Sequence, residues 1–298
     1  MTTVAGAPVV VGVDGSARSL AAVGVAAGEA ALRHRPLRIV HAFAWSPAGW
    51  TTTPGRALPP RLPEREKADA VLAEAAEVAS KLLPAVAISA EVIAGDALTV
   101  LPAESRHAVL LVLGDRGTGG FHGMIAGSVA VRAATHAACP VLVVRGHQRP
   151  DGPVVVGLDG SPNSTAALQF AADEADRRGT ELLALHAWTG GDGTELNAEL
   201  PMTYEFWAGQ DEEERVLAES LAGIAEQHPG LLIQGQARRG SARRLLQELS
   251  RSAQLVVVGD RGHGGLTGLL LGSVSQHLVY HAACPTAVVR PVMLGVPG

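Results

Sequence analysis

Lysine is almost missing from this chain of 298 residues, occurring only as Lys67 and Lys81. Neither follows a glycine, so the Gly-Lys-Ser/Thr end of a P-loop is excluded, and any nucleotide site must work without that lysine. Cysteine is as scarce. Two thiols in so long a chain, each followed by proline as Cys139-Pro140 and Cys284-Pro285, cannot build a disulfide framework and read as buried thiols. Aromatic residues make up only 3% while 47% of the chain is hydrophobic, so the core must be packed from aliphatic side chains. No apolar run approaches the roughly 18 residues of a membrane span, and Met1 to Gly6 lacks the basic start and apolar core of a secretory signal. A cytoplasmic protein without membrane insertion is expected. A basic excess is lacking too, since the net charge is −5, which argues against a general nucleic-acid partner. The arginine pairs Arg238-Arg239 and Arg243-Arg244 are local exceptions.

What the chain does contain is a long repeat. Asp14 and Asp159, His41 and His186, Gly95 and Gly240, Gly114 and Gly259, Gly127 and Gly272, and Cys139 and Cys284 are all separated by the same 145 positions. A period this long means tandem domains rather than a solenoid. The polar stretch Gly146 to Gly152 gives a boundary between domains at 1–148 and 149–298.

Within the first copy, the β-branched run Pro8 to Val13 predicts a strand, and the alanine-rich stretch Arg18 to His34 a helix. A strand over Leu37 to Phe43, a helix over Glu64 to Leu83 stopped by Pro84, and a strand over Val86 to Ile93 follow. Asp96 to His107 reads as a short helix that tolerates Pro102, Val109 to Leu113 as a strand, Ser128 to Ala138 as a helix and Val141 to Arg145 as the last strand. The second copy predicts strands at Val154 to Leu158, Glu181 to Trp188, Leu231 to Ala237, Leu255 to Val258 and Thr286 to Arg290. Strands alternating with helices at this spacing require parallel pairing with helical crossovers. The expectation is an α/β protein of two tandem Rossmann-like domains, each a five-stranded parallel-type sheet with helices on both faces. In such sheets ligands bind beyond the carboxyl ends of the strands, where strand order reverses.

Asp14, the region after His41, and Gly114 fall at such ends. Gly114, Gly117 and Gly127-Ser128 recur as Gly259, Gly262 and Gly272-Ser273 with identical intervals, each loop following an apolar run and preceding a helix. Glycines let several backbone amides approach one anion, and the helix start adds free amides and a positive dipole end. The combination suits a di- or triphosphate. A connection that is glycine-rich for structural reasons alone, and an Asx-type turn at Asp14 and Asp159, are the competing readings. His136 and His281, three residues before the cysteines, offer too few ligands for a structural zinc. His41 and His186 read as core or turn histidines, and no nucleophile, base and orienting acid come together.

These residues resemble the universal stress proteins in their tandem-domain form. The resemblance covers nearly all of both halves. It rests on Asp-Gly-Ser after the first strand, His-Ala-Phe or His-Ala-Trp at the end of the second, the Gly-x2-Gly-x9-Gly-Ser loop, and His-Ala-Ala-Cys-Pro before the last strand, each present twice. It implies binding of ATP, with Mg2+, in each domain (the adenine nucleotide alpha hydrolase-like fold). Carried over by position, Arg116, Gly117, Gly127, Ser128 and Val129 would meet phosphates. Gly12, Asp14 and Gly114 would lie near the ribose, and the backbone of Ala42 at the adenine edge. The second half matches at Gly157, Asp159, Ala187, Gly259, Arg261, Gly262, Gly272, Ser273, Val274 and Ser275. The sequence departs from the family at Asp115 and Asp260, where a small polar residue is commoner. A carboxylate turned inward there would repel phosphate or recruit Mg2+.

The family resemblance further implies a stress-response regulator rather than a dedicated catalyst. The last strands would pair the two domains as an internal pseudo-dimer, with a homodimer and a regulatory protein partner beyond it. A slow ATPase or phosphoryl-transfer enzyme, and an interaction module with empty glycine loops, are the alternatives. Phe43, Trp45, Trp50, Trp188, Tyr204, Phe206 and Trp207 cluster at or after the second strand of each half, where they would shield an adenine or cover apolar surface.

Overall fold

The computed structural model describes residues 6–43, 62–117, 127–188, 204–262 and 271–291, with backbone only at 62–64 and 204–212. It divides into two compact units, Met1–Val144 and Arg145–Gly298.

The first unit runs β1 (Val9–Gly12), α1 (Ala17–Leu32), β2 (Leu37–Phe43), α2 (Leu62–Leu82), β3 (Ile88–Ala94), α3 (Ala97–Glu104), β4 (Leu110–Gly114), α4 (Ser128–His136) and β5 (Val141–Val144). The second repeats it as β6 (Val154–Leu158), α5 (Pro162–Arg178), β7 (Leu182–Trp188), α6 (Tyr204–Gln227), β8 (Ile233–Arg239), α7 (Ala242–Leu249), β9 (Leu255–Gly259), α8 (Ser273–His281) and β10 (Thr286–Val289). All strand neighbours within a unit are parallel, in the order β3-β2-β1-β4-β5 and β8-β7-β6-β9-β10. The chain therefore moves outward from β1 to β3 and then returns to the other side of β1. That reversal puts the crevice between the ends of β1 and β4, and between those of β6 and β9.

The central strands are buried on both faces: Val9, Val10, Val11 and Leu110 to Leu113 in the first unit, and Val154 to Val156 and Leu255 to Val258 in the second. Helices α1 and α2 pack together, as do α3 and α4. Alanine is what lets α1 lie close to the sheet, through Ala22, Ala26, Ala27 and Ala30; Ala167, Ala171, Ala172 and Ala175 do the same on α5. Each of these helices starts at a serine. Ser16 Oγ accepts from Ser19 N at 3.1 Å, and Ser161 Oγ from Ser164 N at 3.2 Å, caps worth about 1 kcal/mol each.

Several boundaries differ from the sequence expectation. β3 begins at Ile88 because Val86 N donates to Leu83 O in a turn after Pro84; β8 begins at Ile233 because Leu231 N donates to His228 O. The helical stretch ending at His107 closes as α3 at Glu104 and continues as a 3-10 turn over Ser105–His107, with Ser105 Oγ donating to Pro102 O at 2.6 Å. α4 stops at His136, since Ala138 N turns away to Ser105 Oγ at 2.8 Å; Ala283 N does the same with Ser250 Oγ at 2.9 Å.

Candidate functional site

The site is built at the first turn of each unit. Asp14 Oδ1 accepts from Ser16 N at 3.0 Å and Asp159 Oδ1 from Ser161 N at 3.0 Å, so both aspartates close Asx turns. The residue between must be left-handed. Gly15 and Gly160 each have φ +79°, a conformation other residues rarely adopt. With Oδ1 engaged in the turn, Oδ2 faces the glycine loop. A Cβ on Gly117 would stand 2.2 Å from Asp14 Oδ2, and one on Gly262 2.1 Å from Asp159 Oδ2. A Cβ at either glycine would crowd the carboxylate on the opposite wall of the crevice, and the Asx-turn reading of the aspartates holds.

The loop itself is pinned at both ends. Gly127 N donates to Asp115 O at 2.7 Å, and Gly272 N to Asp260 O at 2.7 Å. These two amides are committed to the protein, so an anion at the helix start would be met by the amides after them. Those of Ser128 and Val129, and of Ser273 and Val274, open α4 and α8 and have no acceptor within the helix. Ser275 Oγ donates to Gly259 O at 2.5 Å, which ties α8 to the end of β9. Gly114 and Gly259 serve packing as well: a Cβ there would meet Arg18 O at 2.9 Å or the Asn163 backbone at 3.0 Å. Gly12 is closed in by Leu113 and Leu101, its counterpart Gly157 by Leu246 and Val258. Arg116 is exposed, and Ala42 lies half-buried at the end of β2 beside Ile93.

In the second unit these positions enclose one cavity of about 240 Å³, close to the lower end of small-molecule pockets (~300–1,000 Å³). Gly157 and Asp159 line it from the end of β6, Ala187 from β7, and Gly259, Arg261 and Gly262 from β9 and the start of the loop. Gly272, Ser273, Val274 and Ser275 line it from the start of α8. All ten second-half positions are therefore gathered around a single space. Sequence reasoning missed its apolar wall, Leu185, Leu246 and Leu271, and the approach of α7 through Ala242. The apolar spacing on α7 was the available signal, since Leu246 is that helix's one buried residue.

The departing aspartates turn elsewhere. Asp260 is buried and does not line the cavity: Oδ1 accepts from Asn163 Nδ2 at 2.8 Å, and Oδ2 lies 3.0 Å from Arg290 Nε. Asp115, equally buried, is 3.8 Å from Arg18 Nε.

His41 Nδ1 lies 2.7 Å from Val13 O and His186 Nδ1 3.1 Å from Leu158 O, which fastens the second strand of each unit to the end of the first. His186 Nε2 also reaches Glu213 Oε2 on α6 at 2.8 Å. Burial pushes the thiols of Cys139 and Cys284 up to about 12, and neither forms a disulfide. Among the described residues no group of three or more His, Cys, Asp or Glu could hold a metal. Phe43 and Trp188 are half-buried at strand ends. Trp45 and Trp50, and the side chains of Tyr204, Phe206 and Trp207, lie outside the described residues.

The model of the universal stress protein family matches the chain twice, over residues 7–145 and 152–290. The chain belongs to that family. A universal stress protein of Mycobacterium tuberculosis is 37% identical over 295 residues, covering 95% of this chain and 96% of the relative. One from Mycolicibacterium smegmatis is 37% identical over 292 residues, covering 95% and 97%. The crystal structure of a universal stress protein from Archaeoglobus fulgidus superposes with a TM-score of 0.66 at 19% identity, covering 95% of this chain and 96% of that one, and shows the shared fold. Both units are thus universal stress protein repeats, and no helix among the described residues is long and apolar enough to cross a membrane.

Proposed function

We propose that each repeat, with the boundary at 148/149, binds one ATP in its crevice, and that the protein is a stress-response regulator rather than a dedicated catalyst. The observation that carries the reading is the gathering of all ten second-half positions around one cavity at the switch point of β6 and β9. The fit to ATP is chemical. Leu185, Leu246 and Leu271 give an apolar wall for a base, Asp159 offers a carboxylate at the height of a ribose, and the first amides of α8 suit phosphate. A single carboxylate fits Mg2+, which takes most of its ligands from phosphates and water. Asp260 is engaged by Asn163 and Arg290 and lies 3.7 Å from Arg261, so its carboxylate faces protein donors rather than the cavity.

Regulation would follow from population shift. ATP would bias a surface seen by a protein partner if the two states differ in affinity for it. Pairing of the last strands, β5 and β10, as an internal pseudo-dimer, and a homodimer in the cytoplasm, belong to the same proposal. Native mass spectrometry of the full chain purified from cells, with thermal shift on adding Mg-ATP, tests it. Two bound ATP per chain and a higher Tm are expected; no bound nucleotide and no shift would reject the reading. Steady ADP release abolished by Gly117→Ala would favour an ATPase instead.

A further inference from the structure

The corner where the third strand of each unit meets its third helix changes sign between the repeats. Over positions 91–99 the first unit carries Glu91 and Asp96 and no cation; over the equivalent 236–244 the second carries Arg238, Arg239, Arg243 and Arg244 and no anion. Two acidic residues, of which Glu91 is paired with Arg38 Nη2 at 2.8 Å, stand where the second copy has four basic ones.

In the second unit the corner borders the cavity. Register places Arg238 beside Ala187, which lines the cavity, where the first unit has Ile93 beside Ala42. Residues paired across parallel strands share a face of the sheet, so the Ile93-to-Arg238 change falls on the face that Leu185 and Ala187 present to the ligand space. Arg243 and Arg244 are exposed in the first turn of α7, directly after Ala242, another lining residue. The charge of Arg243 also reaches α8: together with burial, which contributes most, and His281, it holds His277 below the ordinary imidazole value. His277 stands one turn beyond Ser273 on α8, with Nε2 2.8 Å from Gln247 Oε1 of α7. In the first unit the same corner is closed by a carboxylate, with Asp96 Oδ1 accepting from Leu98 N at 2.8 Å and Oδ2 from Thr99 Oγ1 at 2.9 Å.

We propose that the arginine corner, acting on the phosphates across the cavity from its Ala187 and Ala242 side, makes the second site selective for the polyphosphate form of an adenine nucleotide, while the crevice of the first unit, with Glu91 paired to Arg38 and Asp96 capping α3, discriminates little between polyphosphate and monophosphate. The proposal rests on the nucleotide reading above. Cations around a low-dielectric cleft favour the more highly charged ligand, and the effect fades with salt as the screening length shortens.

The test uses the full chain in two backgrounds, Gly117→Val to block the crevice of the first unit and Gly262→Val to block the cavity of the second, titrated with ATP and AMP by calorimetry at low and high salt. With the first blocked, Arg243→Ser plus Arg244→Ser should weaken ATP about tenfold, weaken AMP far less and flatten the salt dependence, since two charges near the screening length are lost. Arg243→Lys plus Arg244→Lys should keep the preference. With the second blocked, the serine pair should change nothing. ATP binding that ignores the arginines, or an equal loss for ATP and AMP, would overturn the selectivity while leaving the nucleotide reading intact. No binding of either ligand in either background would instead reject the nucleotide reading itself. Arginine-dependent retention of a single-stranded oligonucleotide by a chain carrying both Gly117→Val and Gly262→Val would overturn the proposal in favour of a nucleic-acid surface.

Discussion

Asp115 and Asp260 occupy the same place in two copies of one fold, and their surroundings have diverged. Where Asp260 accepts from Asn163 at 2.8 Å, the matching position of the first copy is Arg18, 3.8 Å from Asp115 with its side chain 55% exposed. The backbone around them has not diverged. Both copies keep the Asx turn, the left-handed glycine at φ +79°, the 2.7 Å pin across the loop and the serine cap. Duplication has preserved the devices that shape the crevice and released the charges around it. The lesson is that a repeat predicts geometry better than affinity.

The comparison is most sharply tested at those aspartates. Asp260→Ala leaves Arg290 and Asn163 without their buried acceptor and should cost ~3–5 kcal/mol in urea unfolding. Asn163→Ala, which removes the contact the copies do not share, should cost about 1.5 kcal/mol and Arg18→Ala clearly less; equal losses would show that the two environments are energetically alike. Next in size is the crevice wall. Gly262→Val forces a side chain into Asp159 and should reduce bound nucleotide from two to one per chain, with affinity at that site falling at least ~100-fold, about 2.7 kcal/mol. Equilibrium dialysis reads the stoichiometry, and Gly117→Val should have the same effect on the other site. A smaller contrast lies in the helix caps. Asp96 caps α3 through its side chain while Ser241 makes no side-chain cap bond to α7, so Asp96→Ala should cost about 1 kcal/mol and Ser241→Ala close to none.

The thiols supply the control in which the units should agree. Both are raised to about 12 by burial, so the folded protein should resist alkylation at pH 8 and react only after denaturation. The sign of the linkage follows. The unfolded thiols ionise near pH 8.5–9 while the folded ones keep their protons to about 12. Their contribution to stability is complete below pH 8.5 and declines as pH rises toward 12. Rapid alkylation of one native cysteine at pH 8 would show that its unit opens locally.

Much of this was legible in the sequence because it is local or periodic. Apolar runs located all ten strands, the constant interval between anchors revealed the duplication, and the glycine spacing drew together positions that share one cavity. What could not be read depends on partners distant in the chain. The direction of Asp260 is decided by Asn163 and Arg290, and Glu213 meets His186 only because α6 returns over β7. Position 68, which corresponds to Glu213, is Ala68, so the repeat gave no hint of that contact. Strand starts at β3 and β8 were misjudged because turns at Leu83 and His228 consume residues whose composition suits a strand.

The pin from Gly127 N to Asp115 O, and its copy from Gly272 N to Asp260 O, also bears on how such a protein can change. Because the chain is clasped where the loop leaves the sheet and again where it enters the helix, the length and composition between the clasps are uncoupled from the strand and helix they join. Lengthening a loop closed in this way costs little, about 0.6 kcal/mol per doubling. The two ends are therefore fixed to each other independently of the residues that join them, so a change in the joining segment should leave the domain's stability nearly as it was.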